Sequence, residues 1–546
     1  MLGSQLLGSP AMNKSTTNSK VLTPLRFLFL SSFVCCSLTA KAVVFEVTTA
    51  EEFQAALSAA ANNGGDDEII LSSGNYLGNF KFVPNENHSL KISGSGSDLT
   101  VLDGENQAYV LFMSFKGYVP TVEINGVSIV HGAGDGGSAL RLTSDQDNPY
   151  GWGAGEAPRV VISDSQIGEN YGALLIANRG TDLELIRTNV YASRGQSITC
   201  NGGRCSLLVS ESNINELASI ASGALRIWDS QVSTGSISTF WASGGRLPFE
   251  ASLKNSTIVS NRIDLQPLEC FDIFGNRIKA SSISIQAVSS PNGCQGVETR
   301  FSYNLVNSDG LTLDFGRLEP KAQILNNLFV RILGGVTFSS YYELDVMANT
   351  FFQSSVVLNP NPSGASHELV NNIFVPSSDE YAALRVSTFA EYAALKNNLL
   401  PFVEGVWDVE SENISGSPTF FDPENDDFHL TEDSLGVDGG SSSVLTGDDV
   451  TDLDGNARKT GVQVDIGAYE RSTAQLHPAD IDGDGTISQS EFDAYNAAWR
   501  TGDDWSAAPT KIPVDYVTRA GYLLQKGGVY KNIGVGKPAT WVPVNE

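Results

Sequence analysis

Along most of the chain a six-residue phrase recurs: an apolar residue, two variable positions, a Ser, Thr or Asn, one more variable position, and a second apolar residue. Its instances are Ile162-Ser165-Ile167, Leu185-Thr188-Val190, Val209-Ser212-Ile214, Ile227-Ser230-Val232, Leu253-Ser256-Ile258, Ile278-Ser281-Ile283, Phe301-Asn304-Val306, Ile324-Asn327-Phe329, Val346-Asn349-Phe351, Leu369-Asn372-Phe374 and Leu395-Asn398-Leu400. Successive first positions differ by 23, 24, 18, 26, 25, 23, 23, 22, 23 and 26. Short β-rich phrases at this period, with glycine interspersed, predict a parallel β-helix whose coils stack at the ~4.8 Å strand spacing. Leucine-rich and helical repeats fit the phrase less well. The polar fourth residue is expected at an inward turn, where stacked Asn or Ser side chains bond from coil to coil and satisfy buried backbone groups. That ladder is structural rather than catalytic.

The pattern changes at both ends. Thr48 to Glu52 opens an apolar-periodic segment that runs to Ala61, with Thr followed three places later by Glu. This capping signature predicts a short helix that plugs the solenoid and shields its open sheet edge. Before it, a polar stretch and the apolar run Phe27 to Ala40 lead to Ala40-Lys41-Ala42, which reads as a signal peptide and predicts export; an uncleaved anchor is the rival reading. The expected division is 1–42 signal peptide, 43–471 β-helix and 472–546 a small α-helical calcium-binding domain.

Charge narrows the partners. The net charge is −28, and the first 42 residues carry Lys14, Lys20, Arg26, Lys41 and no acid, so the remainder stands at −32. Nucleic acid is an unlikely match for so acidic a chain, and no segment after the signal is long and apolar enough to span a bilayer. Without Cys35 and Cys36, four cysteines remain, an even set that suggests two disulfides in an exported protein. Cys200 and Cys205 enclose Asn-Gly-Gly-Arg, a turn sequence, and are expected to close a small loop. Cys270 precedes its phrase by eight residues and Cys294 precedes the next by seven, so the two are expected to pair across adjacent coils. A zinc site built from all four is improbable, because the two pairs fall on distant coils.

Four segments are also familiar as text: ISGSGSDLTVLDGENQ (92–107), VEINGVSIVHG (122–132), NISGSPTFFDPENDDFHL (413–430) and DLDGNARKTGVQVDIGAYE (452–470). Over residues 43–471 the chain resembles the bacterial right-handed β-helix proteins called choice-of-anchor Q proteins. The resemblance implies the fold, and the signal peptide adds the expectation of an extracellular or cell-surface setting. The resemblance implies no particular activity, since this fold carries lyases, hydrolases, epimerases and adhesins alike.

Residues 480–491 read DIDGDGTISQSE. Asp480, Asp482 and Asp484 occupy loop positions 1, 3 and 5, Gly485 the sixth, Thr486 the seventh, Ser488 the ninth and Glu491 the twelfth. A hard cation needs about six to eight oxygens on one small sphere, and this spacing supplies them for calcium in the manner of an EF-hand; a solvated acidic turn is the bland reading. An ordinary entering helix is missing before Pro478, whereas the exit helix is well formed in pattern, with Phe492, Tyr495 and Trp499 on one face able to pack on residues 514–532. Residues 472–546 resemble the dockerin-like calcium tails of secreted bacterial proteins. A full dockerin has two calcium loops and only one is visible here, so a cohesin-like anchoring partner does not follow automatically.

Residues flanking the first apolar position of each phrase should point outward from one sheet. On four consecutive coils these are Arg226 and Trp228, Ser252 and Lys254, Arg277 and Lys279, Arg300 and Ser302, five of them basic. Such a stripe suits an acidic polysaccharide: coils repeat at about the rise of one sugar, Trp228 offers a stacking surface, Arg277 and Arg300 could neutralise uronate carboxylates, and Lys254 or Lys279 could serve as base for elimination. The competing reading is a set of solvated cations paired with acids on neighbouring turns. The step from Ile124 to Ile162 is 38, leaving a long loop with Tyr150 and Trp152 as further candidate substrate contacts. His131, in HGAGDGG, reads as a turn residue. The functional expectation is therefore an exported, calcium-dependent β-helix that binds, and by elimination cleaves, an acidic polysaccharide; the alternative is a non-catalytic surface or adhesion protein with the solenoid as stalk.

Overall fold

The computed structural model describes residues 42–544, except 134–138, 145–156, 172–174, 179, 192–196, 202–204, 223, 240–250, 268–270, 288–298, 317–320, 361–365, 379–381, 387–392, 402, 405–408, 432, 443–450, 460–461, 472–475, 483–484, 508, 533–537 and 539. The signal segment, Cys270, Cys294, Tyr150, Trp152 and Asp484 lie outside the described residues.

The six-residue phrase folds as a strand, a turn and a second strand. Its first apolar residues stack in one column, Ile124 on Ile162, then Leu185, Val209, Ile227 and Leu253, and later Phe301, Ile324, Val346, Leu369 and Leu395. All of these are fully buried. Every pairing between coils is parallel, and the strands that carry this column form one continuous 16-stranded sheet among the described residues. The second apolar residues form another column on the far side of the turn, and long strands such as Asn213–Ser222 and Arg277–Gln286 bend to serve two faces at once. The body is a parallel β-helix filled by its own inward side chains. Phe329, Phe351 and Phe374 stack inside it, with centroids 4.7 and 4.9 Å apart and planes within 5°.

The turn between the columns is uniform. Its fourth-position residue points inward, and the residue before it adopts positive φ in coil after coil: Asp164, Arg187, Glu211, Asp229, Asn255, Gly275, Tyr303, Asn326, Ala348, Asn371 and Asn397. Left-handed backbone is costly for L-residues, so something must hold it there. The inward ladder does so. Asn304, Asn327, Asn349, Asn372 and Asn398 each accept the backbone N–H of the equivalent residue one coil earlier and donate to the next amide at 2.9–3.0 Å. Each also donates to a carbonyl of the preceding coil. Toward the N-terminus Ser165, Ser212, Ser230 and Ser256 perform the same service with one hydroxyl.

One phrase was expected in the wrong place. Leu253 pairs with Ile273, and Ile273 with Phe301, so the phrase of that coil is Ile273-Asn276-Ile278 rather than Ile278-Ser281-Ile283. Ser281 is exposed, whereas Asn276 is buried and bonded to Asn304 at 3.0 Å. A turn residue must point inward to bond its neighbours, and only Asn276 does. The true steps are 20 and 28 rather than 25 and 23. The positional equivalence of Cys270 and Cys294 disappears with the shift, since they now precede their phrases by three and seven residues. Cys200 and Cys205 form the expected disulfide, Cα atoms 5.5 Å apart.

The N-terminal helix α1 (Ala50–Ala60) starts with the anticipated capping box between Thr49 and Glu52. It buries Phe53 against Phe80 and Tyr76, sealing that end of the core. Among the described residues no helix is long and apolar enough to cross a membrane.

The pattern does not foretell a second hydrophobic layer. From Leu305 onward the outward column of the second strand reads Leu305, Leu328, Thr350, Ile373, Leu399, where upstream rungs carry Gln231, Thr257 and Arg277. The apolar rungs are covered by the described part of residues 414–470, whose Phe420, Phe428, Leu430, Ile466 and Ala468 close the layer. The left-handed column anchors this cover: Asn326 and Tyr303 donate to the Thr451 carbonyl, and Asn371 exchanges two hydrogen bonds with Ser441. The motif VDIGAYE is part of the clamp. Gly467, at φ 106°, sits where a Cβ would lie 2.6 Å from Ile373 Cδ1, and Ala468 N–H donates to Thr350. The fully buried Arg458 donates to the carbonyls of Asp465 and Gly467 amid the charges of Glu470, Asp452 and Asp465.

In the tail, α2 (Gln489–Thr501) and α3 (Val514–Gln525) pack around Tyr495, Tyr516, Leu523, Tyr530 and Trp541. Phe492 joins this core, but Trp499 is exposed; Trp505 takes its place against Tyr495, at a centroid distance of 5.0 Å.

Candidate functional site

The proposed basic stripe divides. Arg226, Ser252, Asp272 and Arg300 form one outward column of the first sheet, and Trp228, Lys254, Phe274 and Ser302 the next. Arg277 and Lys279, expected among them, lie beyond the turn on the second sheet, paired with Thr257 and Val259. The missing members of the stripe are an acid and an aromatic. Asp272, nearly buried, binds Lys254 at 2.7 Å and Arg300 at 2.8 Å. Trp228 donates to Ser252, and Lys254 rests 5.7 Å from its ring. With its ammonium engaged by Asp272, Lys254 is not arranged as a base. The same sheet carries the pairs Glu68–Lys91, Arg159–Glu184, Lys321–Asp345 and Glu368–Lys396, so most of its cations face acids on neighbouring coils. The exposed pairs among them, such as Glu368–Lys396, contribute little stability, about 0–1 kcal/mol each.

Arg277 and Arg300 nevertheless converge. They flank the turn Phe274-Gly275-Asn276 and line an open pocket of about 480 Å³ between the coils and the edge of the covering segment. Its other walls are Tyr303 and Leu305 on the coil side, and Thr451–Gly455 and Tyr469 on the covering side. Arg300 lies 4.7 Å from the Phe274 ring, and Phe274 packs against Tyr303 at 5.1 Å. Arg277 is exposed at the rim. Asp452 is consumed structurally, accepting the backbone N–H groups of Asp454, Asn456 and Glu470. Behind the wall, His429 bonds Asp427 and Asp454 through its two ring nitrogens and lies 4.0 Å from Tyr469. Burial opposes a charge on this imidazole, but hydrogen bonds and attraction from the two carboxylates outweigh it and raise its pKa to about 9. Burial pushes the Tyr469 phenol up, so it stays protonated.

Tyr303, Asp454, His429 and Tyr469 escaped the sequence reading. The available signal was the run of apolar residues on both faces of Leu328–Val330, Thr350–Phe352 and Ile373–Val375, which demands a cover and hence an edge. His131 is the turn residue expected, with φ 53° and its ring bridging Asp103 and Glu169.

In the tail loop, donor oxygens of Asp480, Asp482 and Glu491 lie within 4.8 Å of one another. Gly485 has φ 79°, and Ser488 caps α2 reciprocally with Glu491. Tyr530 donates to Asp480 at 2.7 Å and accepts the His477 N–H, fixing the first carboxylate from outside. The loop backbone pairs with Gly528–Tyr530 through Thr486 and Val529, Ile487 and Gly528. That segment follows α3 as a second loop would, but Gly527-Gly528-Val529-Tyr530 brings no carboxylate.

No family model matches the chain, and no curated protein matches it. Among solved structures it is similar to an alginate lyase from Paenibacillus sp. str. FPU-7, at 13% identity, with 68% of this chain and 99% of that one aligned and a TM-score of 0.18. So loose a likeness assigns no activity.

Proposed function

We propose that the protein is an exported, calcium-dependent β-helix that binds an acidic polysaccharide, with the cleft of Arg277 and Arg300 as its binding site. The observation that carries this reading is the gathering in one open pocket of the exposed Arg277, the Asp272-paired Arg300 and the rings of Phe274, Tyr303 and Tyr469. Guanidinium forks match carboxylates, and aromatic faces match the C–H faces of sugars. Calcium would be held in the tail by Asp480, Asp482, Glu491 and the Thr486 carbonyl, with Asp484 and Ser488 completing the sequence pattern; a hard cation would relieve the mutual repulsion of the gathered carboxylates. The signal-like segment 27–42 supports the export part of this proposal.

Titration of the full chain with alginate, pectate and a neutral glucan tests the reading. Binding of the polyuronates that Arg277→Ala and Arg300→Gln weaken, with none for the glucan, supports it; equal binding by the variants overturns it. Ultraviolet absorbance from an unsaturated uronate would add elimination to binding. The ion-paired state of Lys254 favours the second reading, a non-catalytic surface protein that holds polysaccharide without cleaving it; binding with no such product is its signature.

A further inference from the structure

On the other side of the turn system, near the N-terminal end, a different outward column runs Lys81, Phe112, Arg141 through three successive coils. Phe112 does not stand alone. Tyr109, at the entry to the same strand, lies against it with centroids 5.3 Å apart and planes 28° from parallel. The Arg141 guanidinium is 5.7 Å from the Tyr109 centroid. Both rings and Arg141 are partly exposed, and Lys81 is exposed. A large apolar ring on an outward solenoid column gains nothing from the core, and here two rings share one patch. The chain has only 34 Lys and Arg among 546 residues, yet the rungs on either side of Phe112 are both cationic.

From this arrangement we infer that Tyr109, Phe112, Arg141 and Lys81 form a second glycan subsite, separate from the cleft, that takes uronate sugars. A sugar ring lies against the aromatic pair, and its carboxylate, or that of the next residue, meets Arg141 or Lys81. The two cations are two coils apart, roughly 10 Å, close to two sugar rises along a chain laid parallel to the solenoid axis. The ring faces supply apolar contact without charge specificity, and the cations select for acid. The inference extends the polysaccharide reading but rests on different residues.

The test is calorimetric titration of the full-length protein with tetramers of galacturonate and of alginate, which are too short to bridge two sites. Wild type is expected to bind two tetramers. Arg141→Gln and Tyr109→Leu should each lose one of them or weaken it about tenfold, and the Arg277→Ala/Arg300→Gln double variant should lose the other, all with unchanged far-ultraviolet dichroism. Unaltered stoichiometry and affinity in both Arg141→Gln and Tyr109→Leu overturns the subsite while leaving the cleft intact. Full binding by the double variant, abolished by Arg141→Gln, supports the subsite and removes the cleft. Wild type that binds neither tetramer overturns both.

Discussion

Arg277 and Leu305 are partners across adjacent coils, and the outer surface of the solenoid changes character between them. On the Arg277 side the column is polar and open; on the Leu305 side it is apolar and lies under residues 414–470. The candidate cleft exists because the cover stops at that rung, leaving a step lined by arginine below and by Tyr469 and Asp454 above.

The cover should therefore control the site. Gly467→Ala forces a Cβ against Ile373 Cδ1 and Thr350 Oγ1 at 2.6–2.7 Å, at a backbone angle that alanine disfavours. We expect a loss of about 2–4 kcal/mol in stability, earlier cleavage within residues 414–470 in limited proteolysis, and weaker polyuronate binding. A variant that is destabilised but proteolysed only elsewhere would show that the segment is not clamped at Gly467.

Asn349 sits mid-ladder, accepting from Asn327 twice and donating to the Ile324 carbonyl and to Asn372. Asn349→Ala orphans buried donors and acceptors on both neighbouring coils. A loss of about 3–5 kcal/mol is expected in chemical denaturation; a loss below about 1 kcal/mol would mean the ladder is dispensable at that coil.

Two histidines, the half-buried His429 and the buried His367, should give opposite pH dependences. His429 is raised to about 9 by Asp427 and Asp454 despite its burial, so its stabilisation is complete below about pH 6.5 and vanishes as pH rises through 9. His367 has both ring nitrogens buried and unbonded, and burial lowers it to about 4, so it costs stability progressively as pH falls from about 6.5 toward 4. Each effect amounts to about 3 kcal/mol. Denaturation midpoints should show His429→Gln least stable relative to wild type near pH 6 and nearly equal above pH 10. His367→Leu should gain on wild type near pH 4.5. Parallel pH profiles for all three proteins would contradict both assignments.

Glu491 closes the tail loop in two ways, capping α2 through Ser488 and accepting the Ile481 and Asp482 N–H groups. Burial disfavours its charge, yet these donors hold its pKa below the usual value, so it is ionised and ready for a cation at neutral pH. Chelation of full-length protein should lower the melting of the tail, with calcium restoring it, and Glu491→Ala should abolish that response. A melting curve indifferent to chelator and calcium would remove the ion from the account.

The repeated phrase announced the solenoid because it is dictated locally: an inward apolar residue, a turn with an inward amide and a second inward residue must each recur once per coil for coils to stack. The helix α1 with its capping box, the short Cys200–Cys205 loop and the oxygen spacing of residues 480–491 were legible for the same reason, each being written within a dozen residues. The outer surface was not legible in this way. Ile273 and Ile278 both satisfy the phrase, and only pairing with Leu253 and Phe301 decides that Arg277 leaves the stripe and Asp272 enters it between Lys254 and Arg300. Nor could spacing reveal that Thr451 returns to Tyr303 across 148 residues, or that Asp454 and Tyr469 wall a pocket with Arg277. Periodicity fixes which side chains face inward; which outward side chains meet depends on coil-length irregularities and on a long-range fold-back, and those are settled only by packing.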